Sequence, residues 1–419
     1  MALTTLEQQV VDAIDADRIV ADLAALVAIP SVGGSVDEVA VQRWCADRLT
    51  GLGAWVDHWK IDLAEIRAAA GYPGEEVDRD EAYGCVGVVG DHQERPGLIL
   101  SGHTDVVPPG DLGRWAHEPW RLTPEGDLLY GRGASDMKAG ITAILAAVQA
   151  LRACGVTLRR PLAVHAVIGE EDGGIGAFAT LQRGHRGDVC VIAEPTDACV
   201  IPANAGSLTF RIEVPGQAAH GSSRLDGYSA IDAAMPLLSA VRELESRRNR
   251  DIDPLLGHLD LPYPISVGIM RAGDWASTVP DLLVAEGRYG VRLDEPVERA
   301  RAEFEAAIAK ACAADSWLAT HPARVSWPGG TFASGRLPAG HHLLDDVSAA
   351  VADVAEWQPA VRGGPYGSDL RLYAAGGVPT VQLGPGSVTS AHAADEFVSL
   401  AEVIEFSQVY AVLALRLCG

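Results

Sequence analysis

The sequence predicts an α/β protein with two domains, and three observations support this fold class. The chain has 419 residues, which is more than a single hydrophobic core usually organises. Short apolar runs rich in branched residues alternate with segments of helical spacing, a pattern typical of a sheet covered by helices. Several of these runs are followed directly by His, Asp or Glu, at the strand ends where open α/β sheets place their ligands. We therefore predict a central, mostly parallel sheet flanked by helices.

The first hundred residues predict helices followed by short strands. Apolar residues recur at helical spacing over 6–29, with a break near 15–17. Ser35 and Glu38 have the S-x-x-E spacing of a capping box, which predicts the start of a further helix. Residues 66–82 are polar and rich in Gly and Pro, so we expect a surface excursion there.

The middle of the chain predicts a separate domain inserted into the first. Residues 204–328 have the pattern of strands and helices in the order β-α-β-β-α-β, which is typical of a ferredoxin-like α+β sandwich. The first domain then comprises residues 1–203 and 329–419. Insertions of this kind are tolerated where strand ends lie at the surface.

Composition excludes several classes of partner and indicates a compartment. The formal net charge is -23, which argues against binding to nucleic acid or to an anionic membrane, because both need a basic face. The seven cysteines are scattered, odd in number and lack a C-x-x-C motif, as expected of reduced thiols in the cytoplasm. The sequence shows no signal-peptide pattern and no apolar run of the roughly 18 residues that span a bilayer.

The stretch SGHTDVVPPG is the first candidate site. It follows the apolar run 97–100, which predicts a buried strand. His103 and Asp105 are two residues apart, so on an extended chain their side chains point to the same side. The two side chains either satisfy each other in an ordinary loop or belong to a metal site at the strand end.

Four later segments place potential metal ligands at comparable positions. Asp136 precedes an apolar helix and could be its N-cap or a metal-bridging carboxylate. Glu170 and Glu171 follow a buried strand, either as an acidic surface turn or as a base beside a ligand. Glu194 follows another strand, and His392 lies in a loop after the last one. Repetition at successive strand ends favours the metal site.

Five motifs, in this order along the chain, resemble those of a metallopeptidase and aminoacylase family. That family includes acetylornithine deacetylase, succinyl-diaminopimelate desuccinylase and glutamate carboxypeptidases, and the excursion with PGEEV is most similar to the acetylornithine-deacetylase-like branch. The motifs are SGHTDVVP, GRGASDMKAG, GEEDGG, AEPT and GPG…AHAADEFV. The resemblance implies a zinc-peptidase-like catalytic domain and an inserted lid domain that forms a homodimer.

The resemblance also implies a metal centre with assigned ligands. It implies two divalent ions, zinc or else cobalt or manganese, with an aspartate between them. Its ligand set is His103 and Glu194 for one ion, Glu171 and His392 for the other, and Asp136 as the bridge. Asp105 would orient His103, Glu170 would be the general base, and the Asp136–Met137 peptide would be cis.

Substrate recognition is the least constrained part of the prediction. The resemblance points to His220 as an oxyanion donor, often from the partner subunit, and to arginine as the anchor of a substrate carboxylate. Arg371 lies near a site loop, and Arg288 and Arg292 lie on a strand of the inserted domain. Where relatives have N-x-V-P, this chain has Ser277-Thr278-Val279-Pro280, without the asparagine.

We predict a metal-dependent hydrolase that cleaves an N-acyl amino acid or a related small amide, with a metal-activated water as nucleophile. The alternatives are a dipeptidase or carboxypeptidase on the same scaffold, and a non-catalytic binding module with the same fold. A nicotinamide oxidoreductase is disfavoured because no G-x-G-x-x-G follows the first strand.

Overall fold

The computed structural model describes residues 2–419, which form eleven α-helices and seventeen strands. The helices are α1 (Thr5–Asp12), α2 (Ala16–Val27), α3 (Asp37–Gly51), α4 (Leu63–Ala68), α5 (Ala139–Ala153), α6 (Ile175–Gln182), α7 (Ala230–Arg248), α8 (Val297–Ala314), α9 (Leu343–Ala355), α10 (Leu370–Ala375) and α11 (Leu400–Cys418). None of these helices is long and apolar enough to cross a membrane.

The strands are β1 (Trp55–Lys60), β2 (Tyr83–Val89), β3 (Leu98–His103), β4 (Thr123–Glu125), β5 (Leu128–Tyr130), β6 (Leu162–Val167), β7 (Val189–Ile192), β8 (Cys199–Asn204), β9 (Gly206–Pro215), β10 (Ile265–Ala272), β11 (Leu282–Val291), β12 (Arg324–Ser326), β13 (Thr331–Phe332), β14 (Gly335–Arg336), β15 (Ala360–Gly364), β16 (Thr380–Gln382) and β17 (Phe397–Ser399).

The chain divides into two compact units. The first unit comprises 1–203, 336–362 and 369–419, and the second comprises 204–335 and 363–368. The sequence predicts boundaries at 203/204 and 328/329, whereas this division falls at 203/204 and 335/336 and returns 363–368 to the second unit. The catalytic and lid roles assigned to the two units stay predictions.

The first unit is an α/β fold built on a mixed sheet, which confirms the predicted class. Its strands run in the order β1-β2-β6-β3-β7-β16-β8-β14. The pairs β6–β3, β3–β7 and β7–β16 are parallel, whereas β1–β2, β2–β6 and β16–β8 are antiparallel, so parallel pairing is found among the four central strands. Strands β3, β6 and β7 are buried along their whole length, because helices cover both faces of a parallel sheet.

The second unit is the predicted α+β sandwich. Its order along the chain is β9-α7-β10-β11-α8-β12, followed by the short β13. The sheet order is β10-β11-β9-β12, and every pair is antiparallel. Residues of β9 alternate between buried and half-buried, so one face of this sheet packs on the two helices.

Two expectations for the N-terminal region are wrong. Helix α3 begins without a side-chain cap, and Glu38 turns away from the expected capping box to accept hydrogen bonds from Arg79 and from the Gly34 N–H. Residues 66–82 are not confined to the surface either, because the side chain of Arg79 is buried in the interior of the first unit. The charge-assisted hydrogen bonds between Glu38 and the buried Arg79 are stronger than the hydrogen bond that Glu38 would make in a capping box.

Candidate metal centre

The predicted site residues converge because four neighbouring strands are parallel. Their carboxyl ends lie along one edge of the sheet. His103 is the last residue of β3, the pair Glu170 and Glu171 follows β6, Glu194 follows β7, and His392 comes after β16. Asp136 reaches the same edge from the segment that leads into α5.

Asp136 lies between the two histidines, with one carboxylate oxygen toward each. Its Oδ1 is 2.9 Å from Nε2 of His103, and its Oδ2 is 3.5 Å from Nε2 of His392. Each histidine also faces a glutamate: His103 Nε2 is 3.7 Å from Glu194, and His392 Nε2 is 3.0 Å from Glu171. The five side chains therefore form a continuous row with the Asp136 carboxylate at its centre.

The backbone around Asp136 excludes the simpler role of a helix cap. Helix α5 begins three residues later, and no side chain caps it. Asp136 and Met137 have non-helical backbone angles, and the peptide bond between them is cis, as the resemblance implied. The carboxylate of Asp136 faces the two histidines instead of the first turn of α5.

Asp105 acts on two neighbours at once. The Nδ1 atom of His103 is 3.0 Å from the backbone carbonyl of Asp105 and 3.6 Å from its carboxylate. The same carboxylate accepts the N–H groups of Glu170 and Glu171 at 3.3 and 3.1 Å. With Nδ1–H donating to this carbonyl, Nε2 is the nitrogen of His103 that is left to face Asp136. Asp105 thus connects the loop after β3 with the loop after β6.

The site concentrates negative charge in a buried place. Burial raises the pKa of Glu171 to about 7 and the pKa of Glu170 well above its usual range, and neighbouring carboxylates add to both shifts. Hydrogen bonds to Asp136 and Glu171 raise the pKa of His392 to about 10. Burial by itself lowers the pKa of His103, but the facing acids Glu194 and Asp136 outweigh it. Carboxylates grouped in this way need cations beside them.

The donor set fits divalent metal ions. Ligand atoms of His103, Asp136 and Glu171 lie within 4.8 Å of one another, and so do those of His103, Glu170 and Glu194. Imidazole nitrogen combined with carboxylate oxygen suits zinc and related metals. His103 belongs to both groups, so the two groups of candidate ligand atoms adjoin.

The remaining predicted residues lie in different surroundings. Arg371 is buried, and its Nη2 donates to the Gly173 carbonyl at 2.6 Å, in the loop that carries Glu171. Arg288 is exposed and donates to the Pro365 carbonyl within the second unit. Arg292 donates to the carbonyl of Arg248, which is a structural contact.

His220 is exposed in the second unit, before a 3-10 turn. Its Nδ1 atom accepts the Ser222 N–H at 3.2 Å, so Nε2 carries the proton of the neutral ring. In this tautomer the outward nitrogen of His220 is a hydrogen-bond donor.

Arg79 is a residue of this region that the sequence did not reveal. Its side chain is fully buried and forms two-pronged ion pairs with Glu38 and with Asp172, at 2.6–3.0 Å. Asp172 directly follows Glu171 in the site loop. Only the charge of Arg79 within a polar stretch could have indicated it, and such charges are usually solvated.

Replacement of Arg79 by methionine is expected to lower the free energy of unfolding by about 3–5 kcal/mol, because it leaves two buried carboxylates without their cation. The matched control is Arg67→Met in the same excursion. Arg67 is partly exposed in its pair with Glu75, so its loss should cost about 1 kcal/mol or less. Urea denaturation of both variants measures the difference, and equal losses would contradict the role of burial.

Two curated proteins are similar to this chain over most of its length. The chain is 26% identical over 401 residues to the N-formyl-4-amino-5-aminomethyl-2-methylpyrimidine deformylase of Bacillus subtilis (strain 168), covering 90% of this chain and 89% of that protein. It is 28% identical over 372 residues to the succinyl-diaminopimelate desuccinylase of Alkalilimnicola ehrlichii, covering 85% and 93%.

Solved structures share the fold. Human carnosine dipeptidase 1 superposes with a TM-score of 0.76 at 18% identity, over 99% of each chain. The sequence profile of peptidase family M20/M25/M40 matches residues 99–416, a span that begins in β3 and includes every candidate ligand. The chain therefore belongs to peptidase family M20/M25/M40, whose members are metal-dependent hydrolases of amide bonds.

Proposed function

We propose that this chain is a deacylase that hydrolyses the amide bond of an N-acyl amino acid or a related small amide, as acetylornithine deacetylase-like enzymes do. Both curated relatives bear names of enzymes that remove a small acyl group, formyl in one and succinyl in the other. The expected cofactor is a pair of divalent metal ions, zinc most of all, with cobalt or manganese as alternatives. The ligands are His103, Asp136, Glu171, Glu194 and His392.

The position of Asp136 is the observation that carries this proposal. A carboxylate with one oxygen toward each of two histidines, and a glutamate beside each histidine, is what a bridging ligand between two ions requires. Glu170 adds a further carboxylate in the same buried group. It is then available for proton transfer, since the other acids are taken up as ligands.

The ions, when bound, would polarise the substrate carbonyl and make a nearby water more acidic. Glu170 accepts a proton from the attacking water on a carboxylate oxygen. It then returns this proton to the nitrogen that leaves as the amine, so the products are a carboxylic acid and a free amine.

Attack on the carbonyl places negative charge on its oxygen, and His220 is proposed to donate a hydrogen bond to it from Nε2. We further propose that the chain forms a homodimer through its second unit and that the partner's copy of this histidine serves the site. Arg371 and Arg288 are proposed contacts for a substrate carboxylate.

Substitution His220→Ala is expected to lower kcat by about 10²–10³-fold, the usual effect of losing an oxyanion donor. Mixing it in equal amounts with a Glu170→Gln chain should restore about a quarter of the wild-type activity, because half of the dimers are mixed and one of their two sites is complete. A confirmed mixed dimer that stays inactive would contradict a histidine supplied by the partner.

A substrate screen with metal-reconstituted protein tests the proposed function. N-formyl, N-acetyl and N-succinyl amino acids are compared with unblocked dipeptides of the same amino acids, and the released amine is measured. Faster kcat/KM on the acylated substrates supports the deacylase. Preference for dipeptides would instead assign a peptidase, and no hydrolysis of any amide would leave a binding module.

A further inference from the structure

Glu396 is a buried carboxylate that the proposed mechanism does not use. It lies four residues after His392 and is only 1% exposed. Its Oε1 accepts the backbone N–H groups of Ser135 and Asp136 at 2.8 and 2.9 Å. Its Oε2 accepts the N–H of Gly133 at 3.1 Å and forms an ion pair with Arg132. One side chain thus accepts the N–H groups of Gly133, Ser135 and Asp136, three of the four residues from 133 to 136 in the segment that leads to α5.

That segment depends on an external acceptor because its backbone is irregular. Gly133 has a left-handed φ of 80°, and Asp136 lies outside the helical region, so their N–H groups lack the regular helical partners. Buried N–H groups without an acceptor are strongly unfavourable. The carboxylate of Glu396 therefore helps to fix the backbone conformation from which Asp136 projects.

Arg132 connects Glu396 with the loop that carries His392. One of its nitrogens pairs with Glu396, and Nη2 lies 3.4 Å from the backbone carbonyl of His392 and 3.5 Å from that of Pro108. His392 has a left-handed φ of 61°, an uncommon conformation that needs support from its surroundings. Arg132 is 1% exposed, so these contacts are made away from solvent.

We propose that Glu396 and Arg132 form a positioning pair that sets the separation of Asp136 and His392. The pair thereby determines how tightly the ion proposed to lie at His392 and Glu171 is bound. The inference rests on the proposed ligand roles of Asp136 and His392. It assigns a function to a side chain outside the ligand set, since the loop carrying His392 and the segment carrying Asp136 both meet this pair. Outer partners of metal ligands commonly change metal affinity by 10–100-fold.

The test is Glu396→Gln, which keeps the size of the side chain but replaces one acceptor oxygen by an amide that donates. Metal-free protein is titrated with Zn²⁺ in equilibrium dialysis. We expect the ion held by His392 and Glu171 to bind about 10–100-fold more weakly, because both its histidine and the bridging Asp136 lose support. The ion held by His103 and Glu194 shares only Asp136, so its affinity should fall less. Amide hydrogen exchange at 133–136 should become faster, and Glu396→Asp should restore part of the affinity.

Glu7→Gln is the matched control. Glu7 is also a buried carboxylate with an arginine partner, Arg416, but its other contacts are with Thr4 at the start of α1. It should lose stability and keep both metal affinities. Equal weakening in the two variants, or an unchanged affinity for the ion at His392 in Glu396→Gln, would overturn the inference.

Arg132→Lys gives the same readout if Glu396→Gln does not fold, because lysine keeps the charge and loses the second nitrogen of the fork. Two tight ions in this variant would overturn the inference, and selective loss of one ion would support it. A wild-type chain that binds fewer than two ions would instead contradict the proposed function on which the inference rests.

Discussion

Replacement of Glu170 by glutamine is expected to lower kcat about a thousandfold while leaving two metal ions bound. General acid–base catalysis contributes roughly 10²–10⁴-fold, and Glu170 performs both proton transfers in the proposed mechanism. Glutamine has nearly the same shape, and its backbone N–H can still donate to the Asp105 carboxylate. Its side-chain amide, however, cannot take up a proton. Steady-state kinetics and metal analysis on the same preparation measure the two quantities together.

The measured metal content distinguishes two possible roles of Glu170, general base and metal ligand. Its carboxylate lies in one group with a ring nitrogen of His103 and the carboxylate of Glu194, so it could also contribute to metal binding. Loss of an ion in Glu170→Gln would make it a ligand. Retained turnover with both ions bound would remove it as the base. Glu170→Asp, which keeps the acid but shortens its reach, should recover part of kcat if proton transfer is what was lost.

Local patterns in the sequence indicated candidate site residues at strand ends, and the family resemblance implied which of them bind metal. His103, Glu170, Glu171 and Glu194 each follow an apolar run that ends in polar residues, and the parallel order of those strands brings their ends to one edge. The inserted α+β unit was predicted for the same reason, because alternation and helical spacing are encoded within each element.

Contacts between distant segments were not predictable in this way. Arg79 comes from a polar stretch and meets partners 41 and 93 residues away, at Glu38 and Asp172. Glu396 accepts from a segment about 260 residues earlier. Nothing in the local spacing distinguishes these side chains from solvated charges, so only the tertiary structure identifies them.

Removal of metal by a chelator is the second change with a large expected effect. We expect kcat/KM to fall at least about a thousandfold. Metal ions contribute several kcal/mol of transition-state stabilisation, and each 1.36 kcal/mol that is lost lowers the rate about tenfold. Added Zn²⁺, Co²⁺ or Mn²⁺ should restore activity, and the relative recovery compares the three metals. A metal-free protein, verified by elemental analysis, that still hydrolyses amides would contradict the mechanism.

The pH dependence of metal binding adds a signature that belongs to these ligands. In the metal-free chain the pKa of His392 is raised to about 10 by its hydrogen bonds to Asp136 and Glu171, so its ring carries a proton at neutral pH. Imidazole must lose this proton before it can bind a metal. Zinc affinity should therefore rise with pH, by about tenfold per pH unit for each proton released, until the pH approaches 10. His392→Asn should flatten this slope, because the protonated ring that competes with the ion is gone, whereas an unchanged slope would place the competing proton on another ligand.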